Sequence, residues 1–191
     1  MGLAAVAAMA LMAIGAGSAS ATTLEVNGIP QSSAVTIEAS LESGSSAILQ
    51  DGGSTVDTCT ESEVKGTTTS SSGATVTGTV SVLSFGKCSH TTKVLSKGKL
   101  HVAWLSGTTN GTVTSSGAEV TVVSTVFGIS AVCKTGEGTD IGSLTGATNG
   151  SSNKTNLATM DINGKISCGI FSATWTGSYT VTSPAELGVV S

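Results

Sequence analysis

The sequence predicts an all-β protein, an antiparallel β-sandwich or flattened barrel of about ten to twelve short strands. Three observations carry this. Beyond residue 21 apolar side chains recur at every second position, with no helical period. Gly-containing turn dipeptides punctuate the alternating runs. Four cysteines, an even number, offer two disulfides to tie the strands together.

The chain opens differently. Leu3 to Ile14 is an apolar run of 12 residues, too short for a membrane helix, which needs about 20. It leads into Gly15-Ala16-Gly17-Ser18-Ala19-Ser20-Ala21, where Ala19-Ser20-Ala21 matches an A-x-A cleavage site. We expect residues 1–21 to be a signal peptide, although Met1-Gly2-Leu3 carries no Lys or Arg. Val6 stands where myristoylation wants Ser or Thr, and no Cys stands at the cleavage point as a lipoprotein would require. Residues 22–191 are then one domain.

The strands follow in order. Val76, Val80 and Val82 are expected on one face, with Thr75, Thr77, Thr79 and Ser81 on the other. Leu100, Val102 and Trp104 oppose Lys99, His101 and Ala103. Residues 118–127, apolar on both faces at Val120, Val122, Val123, Val126 and Phe127, read as a central strand. Ala173, Trp175, Gly177, Tyr179 and Val181 alternate with Thr174, Thr176, Ser178, Thr180 and Thr182. One face buried and one wet is the habit of antiparallel sheets. Asn110-Gly111 and Asn163-Gly164 are the best candidates for tight hairpin turns, which need positive φ. The stretch from Lys65 to Gly73 reads as a disordered loop. The two halves also look alike, each with a Cys, a Gly/Thr-rich stretch, an alternating strand and a second Cys.

Of three disulfide pairings, Cys59–Cys88 and Cys133–Cys168 are favoured because each closes a loop within one half of the chain. No two cysteines lie closer than 29 positions, so the close spacing of a zinc site is missing. Ser and Thr number 60, all eight basic residues are Lys, and the net charge is −4. A chain without Arg and with negative charge is a poor nucleic-acid or phosphate binder. No second stretch of the mature chain is long enough to span a membrane.

The search for chemistry yields weak candidates. G-x-S-x-G, H-E-x-x-H, P-loop and C-x-x-C patterns do not occur. His90 and His101 are the imidazoles open to a triad; both are read as exposed polar residues, and a hydrolase built on either is the second alternative below. Trp104 and Trp175 lie on apolar strand faces, a core position that also suits a small apolar-ligand pocket. Asp51 with Asp57, and Glu137 with Asp140, are acids on Gly-rich loops, weak candidates for a structural ion. The row Thr174 to Thr182 invites an ice-matching reading, but Thr is simply favoured in strands.

The segments "CKTGEGTDIGSLTG" (133–146), "ATMDINGKISCG" (158–169) and "ATWTGSYTVTSP" (173–184) resemble a group of small secreted bacterial β-rich proteins. Those proteins carry a signal peptide, a mature start like "TTLEVNG" and paired cysteines. The resemblance implies secretion and a single domain; it brings no activity and so no catalytic residues. The expectation is an exported, non-enzymatic structural or binding module of the cell envelope or extracellular space, without cofactor. Its partner is another envelope or extracellular molecule, with self-association through edge strands. The first alternative is a carrier with a pocket near Trp104 and Trp175; the second is a hydrolase using His90 or His101.

Overall fold

The computed structural model describes residues 21–124, 129–147 and 157–191. The expected signal peptide up to Ser20, and Val126 and Phe127 of the expected central strand, lie outside the described residues. Fourteen strands and no helix occur among the described residues. In chain order they are β1 (Thr22–Val26), β2 (Ile29–Pro30), β3 (Thr36–Leu41), β4 (Ala47–Asp51), β5 (Ser54–Thr68), β6 (Ser72–Gly73) and β7 (Val76–Cys88). Then come β8 (Thr91–Trp104), β9 (Gly111–Ser124), β10 (Ile129–Lys134), β11 (Thr139–Thr145), β12 (Thr159–Cys168), β13 (Phe171–Ser183) and β14 (Leu187–Val190).

The pairings close on themselves. β3, β5, β7, β8, β9, β11, β12 and β13 each pair antiparallel with the next, and β13 returns to β3. The result is a meandering eight-lane barrel, a size at which side chains just fill the interior. Two lanes are broken. Along β13, Tyr179 to Ser183 pair with β3 while Thr174 to Thr176 pair with β4, so β3 and β4 share one lane. Along β9, β11 and β10 share another in the same way. The two breaks make ten strands of the eight lanes, and β1, β2, β6 and β14 bring the count to fourteen.

Alternation sets what lies inside. On β12, Met160, Ile162, Gly164, Ile166 and Cys168 are buried, and Asp161, Asn163, Lys165 and Ser167 between them are exposed. On β13 the expected face of Ala173, Trp175, Gly177, Tyr179 and Val181 does turn inward, with Tyr179 and Val181 fully enclosed. On β7 the expectation fails for Val82. The register slips between Lys65 and Gly66, placing one extra residue of β7 between Val80 and Val82. That bulge reverses the faces, so Leu83 rather than Val82 is buried.

Three further expectations need correction. Asn110-Gly111 is not a two-residue turn, because the β8–β9 connection runs from Leu105 to Asn110 and Gly111 already opposes Trp104. Asn163-Gly164 is no turn at all but the middle of β12. Glycine stands there because a Cβ would lie 2.6 Å from the Cα of Ile141. Lys65 to Thr68 continue β5 rather than loosening into a loop. The tight turn the dipeptide rule describes is found instead at Asn27-Gly28, with φ of 54° and 70° between the paired Val26 and Ile29.

A small second sheet, β14–β1–β2 with β6 beside β1, caps one barrel end. Leu24, Leu187 and Val189 are buried in it as a plug. Backbone bonds tie it down: Leu24 N–H to Ser71 O at 2.9 Å and Val189 N–H to Thr109 O at 3.0 Å. Both disulfides form as expected, Cys59–Cys88 and Cys133–Cys168, beside the turns at Ser89-His90 and Gly169-Ile170. Each joins directly opposed residues of neighbouring strands. The halves are not equivalent, however: Cys133 sits in a broken lane, whereas Cys59 sits in the unbroken β5.

Candidate functional site

The densest polar cluster lies beside the Cys59–Cys88 disulfide. Asp57 and Cys59 are two apart on β5 and both turn inward, so the carboxylate is only 3% exposed. Its Oδ1 accepts from Thr58 N–H at 2.9 Å, Ser89 O–H at 2.8 Å and His90 N–H at 3.0 Å. Its Oδ2 accepts from the Thr92 hydroxyl. Four donors satisfy the buried charge and fasten the Ser89-His90 turn to β5.

His90 therefore stands next to a serine and a carboxylate. Its Nδ1 is 3.2 Å from Ser89 Oγ and 3.7 Å from Asp57 Oδ1. A triad needs the acid on one ring nitrogen and the nucleophile on the other. Here both face the same nitrogen, and Ser89 gives its hydrogen to Asp57. The arrangement is a turn clamp. His101, expected in solvent, is half-buried on the outer wall, with Nδ1 2.8 Å from Thr77 Oγ1 and Nε2 3.1 Å from Ser116 Oγ. It bridges two hydroxyls across neighbouring strands.

The tryptophans do not meet in one pocket. Trp104 lies at the lid end, its indole N–H donating to Thr108 O at 2.7 Å. Trp175 packs edge-on against Phe85, with centroids 5.4 Å apart. Among the described residues, apolar cavities of about 80, 50 and 20 Å³ lie inside the barrel. The largest lies under the lid, among Leu24, Val76, Met160 and Leu187. Trp175 lines the two smaller ones and Trp104 lines none of the three. Each is well below the roughly 150 Å³ that admits a benzene ring. The interior is a packed core.

Glu137 and Asp140 are exposed at the β10–β11 break, and Asp140 Oδ1 accepts from Gly142 N–H at 3.1 Å. Asp51 sits at an exposed turn while Asp57 is buried. Among the described residues one metal-like grouping occurs, Asp57 with Cys59 and Cys88. Both sulfurs are committed to the disulfide, which leaves it without thiolates for a metal.

Deeper in the barrel, Tyr179 is fully buried, donating to Ser62 Oγ at 3.0 Å while Ser62 donates to Ser84 O at 2.8 Å. Burial pushes the Tyr179 phenol up to about 12, with the Ser62 hydrogen bond opposing. Sequence reasoning missed the role of Asp57. The available signal was its place two residues before Cys59, hence on the same inward face. Comparison with family models, with curated proteins and with solved structures finds no match to this chain.

Proposed function

We propose that this chain is an exported, non-enzymatic structural or binding module that meets its partner with the outside of its barrel. The observation that carries the reading is the interior. Inward side chains pack into an apolar core, with a void of about 80 Å³ beneath a hydrogen-bonded lid. Such a core leaves recognition to the outer wall. Asp57, the most elaborately bonded acid, is spent on holding a turn.

Export is supported by the two disulfides, which persist in oxidising compartments. It is supported too by the A-x-A site and by the likeness to small secreted bacterial proteins. The outer wall argues for an aqueous setting. Its strands present Thr, Ser and Lys outward, whereas a lipid-facing barrel presents an apolar band.

The test is the mass of the protein recovered from cells that export it, in native and denaturing spray. We expect a chain beginning at Thr22, a gain of about 4 Da on reduction of two disulfides, and no adduct. A small molecule that survives only in the native spectrum would replace this reading with the carrier.

A further inference from the structure

One place in the barrel wall is open. β7 and β8 pair only from Val76 to Thr79, against Val102 to Lys99. Beyond that point Val80 to Cys88 pair with β5 alone, and Thr91 to Lys97 with β9 alone. The strands rejoin at the Ser89-His90 turn, so a split with two unpaired backbone edges runs down the wall. A bulge lies on each flank, near Ser81 and at Leu95.

Apolar space lies beneath the split. The 20 Å³ cavity is lined from one edge by Leu83 and from the other by Lys97. The 50 Å³ cavity is lined by Phe85 and Thr92 in the same way. Phe85 and Val94 are only partly buried, and Leu95 is 50% exposed. β8 also carries exposed Lys93, Lys97 and Lys99, none of which forms an ion pair among the described residues; Lys97 stands opposite buried Ala118 and so lies on the cavity side of the strand. Across the split, Lys87 is already paired with Glu61. Glu119 stands opposite Ser96 on β9; against the three lysines it leaves this edge net positive in a chain of net charge −4.

We propose that the split is a strand-docking site for an extended acidic segment of a partner protein. The segment pairs with the free edge of β8 over Thr91 to Lys97. Its apolar side chains turn toward Phe85 and Val94, and its carboxylates meet Lys93 and, toward the end where β7 and β8 pair, Lys97 and Lys99. Main-chain bonds to an exposed edge give affinity and alternate side chains give choice. A second copy fits worse, because apposing its own β8 would set lysine against lysine. The proposal rests on the outer wall being the recognition surface, and deepens that reading by naming the place and the partner chemistry.

The test uses the oxidised chain and a labelled peptide of about nine residues alternating Val and Asp, a length suited to strand addition. Two controls accompany it: a Val-Lys peptide and the Val-Asp peptide with a central Pro. We expect saturable binding of the first alone. Slowed amide exchange is expected within Thr91–Lys97. The K93E/K97E/K99E variant, its fold checked by circular dichroism, should bind roughly tenfold more weakly. Equal binding of the Val-Lys peptide, exchange protection at the lid instead, absence of binding, or a dimer formed through the same edge would each overturn the proposal. Because the exchange map reads the edge directly, its failure is separable from a native-mass adduct, which speaks to the carrier question.

Discussion

Tyr179 offers a quantitative check on the packed interior. It is the single tyrosine of the chain, so its ionisation is read without deconvolution from the ultraviolet absorbance of phenolate. In the fold the phenol stays neutral up to about 12, against 10.0 for an exposed tyrosine. The unfolded chain therefore ionises first. The stabilisation is complete below pH 10 and lost as pH rises through about 12. The whole difference is worth about 3 kcal/mol, of which about 1.4 kcal/mol is gone by pH 11. Urea unfolding at pH 8 and pH 11 on the wild type and on Tyr179→Phe isolates it, since lysine deprotonation is common to both. Tyr179→Phe should cost about 1 kcal/mol at pH 8, because Ser62 keeps its bond to Ser84, and should lose the extra decline. An absorbance midpoint near pH 10, with circular dichroism still that of the folded chain, would refute the reasoning.

Other perturbations probe the frame. The disulfides close separate loops of 29 and 35 residues; replacing either pair with Ala should cost about 4 kcal/mol in urea unfolding, and the two losses should add. Asp57→Ala strands Ser89, the His90 N–H and Thr92 without their acceptor, and thermal unfolding should register a loss of about 3 kcal/mol, with Asp57→Asn milder. Gly164→Ala would drive a Cβ against Ile141 and should cost about 1–3 kcal/mol. Asn163→Ala, at an exposed strand position, should stay within about 0.5 kcal/mol by the same urea assay; a large loss there would restore the turn that the dipeptide suggests.

Much of the barrel is legible because burial on one face writes a period of two into the chain. Ala173 to Thr182 announce both their strand and its inward face, and the even cysteine count with loop-sized spacing announces the bonds. The failures share a cause. A bulge adds one residue without any compositional mark, so Val82 and Leu83 exchange faces unseen. Gly164 and Gly28 look identical in sequence, yet one permits close backbone approach and the other a left-handed turn. His101 alternates correctly to the outside, but its half-burial depends on Thr77 and Ser116 from strands that sequence order does not place. The split between β7 and β8 goes with bulges near Ser81 and at Leu95, which likewise leave no compositional mark.

The lid also decides how this molecule would answer a pulling force. β1 and β14 run antiparallel, with Thr23 opposite Val190 and Val26 opposite Leu187. The start of β1 and the end of β14 therefore leave the ladder at the same rung. Tension between them would unzip that ladder one hydrogen bond at a time, a yielding geometry compared with shear. The eight-lane ring closes without those strands and would stay shut while the lid peels. Once the ring opened, the stretches between Cys59 and Cys88 and between Cys133 and Cys168 would still be withheld from extension by their covalent crosslinks. The chain is thus compliant at its tethers and inextensible at its far end.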